Sequence, residues 1–200
     1  MIIKYSSSTI SFIFHDYILS IHFLVENLFI KRRICLLCRH NMEKSIRLCV
    51  NCNTGGSKHF ADVYDTDYVK VLSEIVERNI SDIVQYRQQI MKGCNNENND
   101  IPFQKIYRSL LKNVSGESFI SLILHLDGIG LGKSNKLTLW ILSCSITELP
   151  PHLRNKRENM VLLSAWIGYC EPIIDIWLCE CIRGLKQLKS SGMWIKKRNR

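Results

Sequence analysis

The feature that most constrains the fold of this chain is a pair of cysteine turns, Cys35-Leu-Leu-Cys38 and Cys49-Val-Asn-Cys52, separated by ten residues. In a CxxC turn two thiolates converge from one tight knuckle, and two knuckles joined by a short ribbon complete the tetrahedron that zinc takes with sulfur ligands. Neighbouring Lys and Arg side chains favour the thiolate forms. The spacing predicts a structural zinc site with Cys35, Cys38, Cys49 and Cys52 as ligands. The competing reading is four reduced cysteines packed as small hydrophobes. His40 stands beside a complete ligand set and is read as polar surface. The other five of the nine cysteines say less. Cys179 and Cys181 are two apart on an expected helix and point to different faces, while Cys94, Cys144 and Cys170 are isolated. An odd cysteine count with no convincing secretory signal argues for a reducing compartment rather than a disulfide framework.

A chain of 200 residues with 46% hydrophobic and 22% charged side chains can bury a core of its own, which excludes low-complexity and wholly disordered classes. The formal net charge is +9, and it is concentrated at two places. Residues 31–58 carry seven basic side chains against the single acid Glu43, and residues 183–200 carry seven with no acid. The body between and around them is mildly acidic. Such basic tracts point to an anionic partner, the alternative being a solvated face and a frayed tail. On charge alone nucleic acid and a membrane surface both qualify; with the resemblance described below, DNA is the expected partner and Lys31, Arg32, Arg33, Arg39, Lys44 and Arg47 are candidate phosphate contacts.

The chain divides by composition. In residues 1–33, apolar positions from Phe12 to Phe29 recur at helical spacing, which predicts an amphipathic helix or a poorly ordered segment. Asp16, Glu26, His15 and His22 interrupt the apolar run before it reaches the ~20 residues of a membrane span, so no membrane partner is expected. Residues 34–58 are the cysteine module, ending in the loop Thr54-Gly55-Gly56-Ser57. Residues 59–115 are read as a helical region: Tyr68, Leu72, Ile75, Val76, Ile83 and Val84 keep a helical period after the capping candidates Asp65 and Asp67, Gly93 is a stop, and Pro102 opens a shorter helix. From residue 116 to 192 the period changes. Phe119–Leu126, Leu137–Ile146 and Met160–Ile167 read as antiparallel strands, followed by a helix over Ile173–Leu188. Residues 193–200 are a basic tail.

The glycine stretch Asp127-Gly-Ile-Gly-Leu-Gly-Lys-Ser134 is not read as a phosphate loop. Asp127 occupies the place of the motif's first glycine, and a strand rather than a helix is expected to follow. Asp127 shares a strand face with His125. It is either a divalent-cation ligand or a turn-forming Asp whose carboxylate caps its own loop.

Residues 125–188 resemble the transposases of eukaryotic CACTA-type DNA transposons and their animal relatives. The residues that carry the resemblance are Asp127-Gly128 after an apolar strand, Lys133-Ser134, Trp140, Glu148-Leu-Pro-Pro-His-Leu-Arg154, Asn159, Ala165-Trp166-Ile167-Gly168, Pro172, Asp175-Ile176 and Leu178. Ile141 stands where the family usually has proline, and Lys133 where it has a second serine. The resemblance implies that this block opens an RNase H-like core, that Asp127 matches its first catalytic metal ligand, that Mg2+ or Mn2+ serves an intact relative in DNA strand cleavage, and that the protein is nuclear. Asp175 matches a family position but is expected to be structural. The chain stops after the first helix of such a core, without the later catalytic carboxylates, so a truncated and catalytically incomplete member is expected. The alternative is a zinc-dependent DNA-binding module without catalysis. The fold expected is α+β: a small four-cysteine zinc module, a helical region, and an incomplete RNase H-like core of three antiparallel strands and a helix.

Overall fold

A computed structural model describes residues 29–42, 47–92, 100–105, 107–109, 119–131 and 136–193. The expected helix before Phe29, the stop at Gly93, Cys94, Lys44, the Gly132-Lys133-Ser134 triplet and the basic tail beyond Met193 lie outside them.

A six-stranded antiparallel sheet carries the fold, in the order β2-β1-β3-β6-β5-β4. Its strands are β1 (Phe29–Cys35), β2 (Asn41–Met42), β3 (Phe60–Thr66), β4 (Leu122–Gly130), β5 (Thr138–Ile146) and β6 (Met160–Gly168). Helices α1 (Tyr68–Arg78) and α2 (Ile80–Lys92) follow β3. The short α3 (Pro151–Arg154) links β5 to β6, and α4 (Ile174–Trp177) and α5 (Cys179–Ser191) close the described chain.

The three expected strands and the helix after them are present as β4, β5, β6 and α4–α5. Two expectations are corrected. Residues 29–33, assigned to an N-terminal helix, form most of β1, and the start of the expected helical region is β3. Their local patterns misled because the apolar positions of Phe29–Cys35 are interleaved with three cations, Lys31, Arg32 and Arg33, that find their counter-charges on β3 only once the strands pair. The sheet therefore has six strands rather than three, and β1 joins the cysteine module to the rest without a break.

One face of the sheet is covered by helices. Leu72, Ile75 and Val76 of α1, Trp177 of α4 and Cys181 of α5 pack with Val63, Leu142, Cys144, Ile146, Val161, Leu163 and Trp166. Asp67 caps α1 through a side-chain bond from the Lys70 amide. A bulge keeps the core in register: Leu142 faces Ser164 while Ser143 faces Leu162, leaving Leu163 as the extra residue. Without it, the alternation of strand side chains would turn either Val161 or Trp166 off the helix face. Gly128 lies opposite Trp140, and an added Cβ would sit 2.7 Å from the indole ring. This close approach accounts for the glycine at this position. The Leu131 amide bonds to the Leu137 carbonyl at 2.8 Å, and strand β5 follows.

Buried polar networks hold the elements around this core. Glu148 is fully buried and accepts both the Ser121 amide, at 2.9 and 2.8 Å, and the Tyr107 hydroxyl. Arg154 makes a two-pronged pair with Asp100, both contacts 2.7 Å, and donates to the carbonyls of Thr147 and Leu149. Asn159 accepts from Arg78 and Asn79 and donates to Leu153. Three of the residues that carried the family resemblance are thus buried staples of the loop between β5 and β6.

Candidate metal centre

The two cysteine turns are built alike. In the first, the Arg39 amide bonds to the Cys35 carbonyl at 2.8 Å and the Cys35 amide to the His40 carbonyl at 3.0 Å. In the second, the Asn53 amide bonds to the Cys49 carbonyl at 2.8 Å and the Cys49 amide to the Thr54 carbonyl at 2.8 Å. The residue after the second cysteine is left-handed in both, with φ of 62° at Arg39 and 58° at Asn53. That conformation turns the chain back under the first cysteine, so both thiols of each turn point the same way. Asn tolerates it well, whereas Arg carries the full Cβ penalty.

The four sulfur atoms lie within 4.8 Å of one another. Cys35 Sγ is 3.6 Å from Cys52 Sγ, and Cys38 Sγ is 3.4 Å from Cys49 Sγ. These separations are far longer than a disulfide bond of about 2 Å. A tetrahedral zinc with bonds of about 2.3 Å sets its sulfurs roughly 3.8 Å apart, so the donor set fits the ion. Cys35 and Cys49 are buried and Cys52 is exposed. Met42 and Phe60 pack against the cysteines from below. Because Cys35 is also the last residue of β1, opposite Phe60 of β3, the centre is fixed directly to the sheet.

The thiols differ in acidity. A hydrogen bond from the Asn51 side chain pulls Cys38 down to about 6, outweighing a smaller opposing effect of burial. Thr54, whose hydroxyl is 3.2 Å from Cys52 Sγ, lowers Cys52. Burial pushes Cys35 up to about 11. Cys38 and Cys52 are therefore each more acidic than the buried Cys35. Asn51 and Thr54 had no signal in sequence beyond their place inside and just after the second turn.

The basic candidates separate into two groups. Arg39, Arg47 and Lys58 are exposed in the cysteine module. Lys31, Arg32 and Arg33 do not join them, which corrects the expectation of one continuous basic tract. On a strand, Lys31 and Arg33 share one face and both pair with Asp62, at 3.0 and 2.7 Å. Arg32 faces the helices, pairs with Asp65 at 2.8 Å, and reaches the carbonyls of Ile176 and Trp177. Lys44 lies outside the described residues. His40 is exposed and outside the cluster. Leu37 and Val50 project from the two turns, exposed to 63% and 72%.

Asp127 lies far along the chain on β4, opposite Ile141, and accepts the Gly128 amide at 2.9 Å. The four cysteines are the only group of three or more His, Cys, Asp or Glu side chains among the described residues that is close enough to share a metal. Asp127 therefore stands inside a paired strand that runs on to Gly130 and not in a turn, which corrects the reading of a turn-forming Asp, and among the described residues no acidic metal cluster surrounds it. Cys144 and Cys181 are buried in the main core, where burial pushes their thiols up to about 12 and about 11. Among the described residues no helix is long and apolar enough to cross a membrane. Comparison with protein-family models, with curated proteins and with solved structures found no match to this chain.

Proposed function

We propose that this chain is a transposase-related nuclear DNA-binding protein whose contact with DNA is organised by zinc. The observation that carries the reading is the four-cysteine cluster at the end of β1, with Arg39, Arg47 and Lys58 exposed in the same module. Zinc held by Cys35, Cys38, Cys49 and Cys52 fixes the two turns relative to each other. The cations then lie against phosphate, giving salt-dependent affinity of low sequence specificity. Leu37 and Val50 supply apolar contact to bases or sugars once the cations have docked the module. The resemblance over residues 125–188 supports a transposase origin, and the run of three antiparallel strands and a helix agrees with the start of an RNase H-like core.

Of the two readings of function, binding without catalysis is favoured by the surroundings of Asp127. Two-metal strand cleavage needs carboxylates that converge on shared ions, and no such set surrounds Asp127 among the described residues. The test is zinc stoichiometry of the purified chain with binding to a short duplex at two salt concentrations. One zinc per chain, lost with Cys49→Ser, and affinity that falls as salt rises and disappears with the metal are the expected results. Zinc-free protein that binds DNA equally well would overturn the reading. Cleavage of the duplex with added Mg2+ or Mn2+, abolished by Asp127→Asn, would restore catalysis to it.

A further inference from the structure

The two edges of the sheet are unlike. One ends in the two-residue strand β2, and the other is the nine-residue strand β4, whose outer side no described strand covers. The direction of its free groups follows from the bonds at its two ends. Thr147 donates to the Ser121 carbonyl at 2.9 Å, and Leu131 donates to the Leu137 carbonyl at 2.8 Å. In an antiparallel pair the residues bonded across the ladder alternate. The odd residues from 121 to 131 therefore bond toward β5. The amides and carbonyls of Leu122, Leu124, Leu126 and Gly130 point away from it, as does the carbonyl of Gly128, whose amide is held by its neighbour Asp127.

The side chains of this strand complement their own reversed order. An antiparallel copy centred on Leu126 keeps every outward residue opposite an outward residue. On the helix face, Leu126 meets Leu126 of the second copy, and the leucines at 122 and 124 meet the glycines at 130 and 128. Leu124 and Leu126 are about half exposed, at 47% and 49%, although both are apolar and on the core side. On the opposite face, Ile123 meets Ile129, and His125 meets Asp127. His125 uses Nε2 on Ser145 Oγ at 3.2 Å, which leaves Nδ1 for a carboxylate. Asp127 uses Oδ1 on the Gly128 amide, which leaves Oδ2. Each interface contains the His125–Asp127 pair twice, because the two-fold axis repeats it.

We infer that β4 is a dimerisation strand, pairing antiparallel with β4 of a second copy of this chain about Leu126 to make one continuous sheet. Leu122 and Leu124 fall opposite glycines, Leu126 and Ile123 opposite apolar partners, and the acid opposite the imidazole, so the same register suits both faces. An unrelated strand would find the same backbone groups but not this match of side chains.

The experiment is sedimentation of the zinc-loaded full chain over a range of concentrations, with a charge-swap series. The expected result is a monomer–dimer equilibrium that Leu126→Lys abolishes, since the new cation would face itself. His125→Asp and Asp127→His each set like groups opposite, and are expected to raise the dissociation constant about five- to tenfold. The double variant restores the opposition in reverse and is expected to return to within about threefold of the parent, by the same pairing. Far-ultraviolet circular dichroism of each variant separates loss of pairing from loss of fold. Amide exchange gives a second readout: Leu124 and Leu126 are expected to exchange more slowly as dimer forms. A chain that stays monomeric up to about 100 μM, well above the range in which a specific dimer forms, would overturn the inference. So would a dimer indifferent to Leu126→Lys, or one in which the double swap is no better than the singles.

Discussion

Arg32 Nε lies 2.8 Å from Asp65 Oδ2, and this pair joins β1 to β3 on the side of the sheet that the helices cover. Ser164 donates to the other Asp65 oxygen at 2.6 Å, and the Trp177 indole donates to Ser164 at 2.8 Å. The remaining nitrogens of Arg32 reach the carbonyls of α4. Four elements thus meet in one partly desolvated polar network, in which each charge has partners.

Removing one member leaves the other charge behind. Arg32→Ala and Asp65→Ala are each expected to cost about 3 kcal/mol of folding stability, measured by urea denaturation of the zinc-loaded protein. A double-mutant cycle should show strong coupling between them. The DNA-binding salt slope of Arg32→Ala should match the parent. Arg47→Ala, from the exposed group, should lower that slope by about one and leave stability unchanged.

The matching left-handed residues predict opposite effects on two properties. Arg39→Gly relieves a backbone conformation that costs a non-glycine residue about 1 kcal/mol, so the zinc-loaded chain should melt at a higher temperature. The same variant loses a cation and should bind duplex DNA more weakly. Asn53→Gly, at the equivalent place in the second turn, should leave both nearly unchanged, since Asn already tolerates the conformation.

The unequal acidities of the cysteines set an order of modification in the metal-free chain. With Cys38 lowered to about 6 and Cys35 raised to about 11, iodoacetamide at pH 7 should label Cys38 well before Cys35, because the thiolate is the nucleophile. Asn51→Ala removes the hydrogen bond that favours the Cys38 thiolate and should slow its labelling at that pH. Zinc should protect all four. Mass spectrometry of the labelled peptides reads each outcome.

Asp100 links pH to stability. Burial alone would raise its carboxyl, but the Arg154 guanidinium and the Tyr86 hydroxyl hydrogen-bond to it, and the net effect holds it below the usual carboxylate range. A group depressed in the folded state stabilises that state above its unfolded pKa of about 4, and the contribution is lost as pH falls through the depressed value. Asp100→Asn should therefore be less stable than the parent at pH 7 and lose less stability on acidification. Arg154→Lys should also destabilise, because an ammonium cannot reproduce the two-pronged pair while donating to the Thr147 and Leu149 carbonyls.

What the sequence shows of this fold depends on how local each signal is. The cysteine spacing was legible because both turns are closed by neighbours within five residues, and their sulfurs do converge. Strands β4 to β6 and the helix after them were legible because long apolar runs between glycines and prolines have few other uses. Strand β1 was not, since Lys31, Arg32 and Arg33 resemble a phosphate-binding tract until Asp62 and Asp65, about thirty residues on, are placed beside them. Strand β2 has two residues and no pattern to read. Glu148, Arg154 and Asn159 stood out only through the family resemblance, and their work proves to be the staple between β5 and β6. The reason for a glycine at 128 was not legible, because its partner, the ring of Trp140, lies on the neighbouring strand.

Because β2 is held between the two cysteine turns, the metal that closes those turns also finishes one border of the sheet. A molecule with a single sticky border can only couple once and stop, whereas one with two can add copies at both sides without end. Chelation is then expected to change the outcome of self-association from a closed pair to growing fibrils or precipitate, visible as rising light scatter after EDTA. Zinc would serve here as a terminator of polymer growth as much as a brace for the fold.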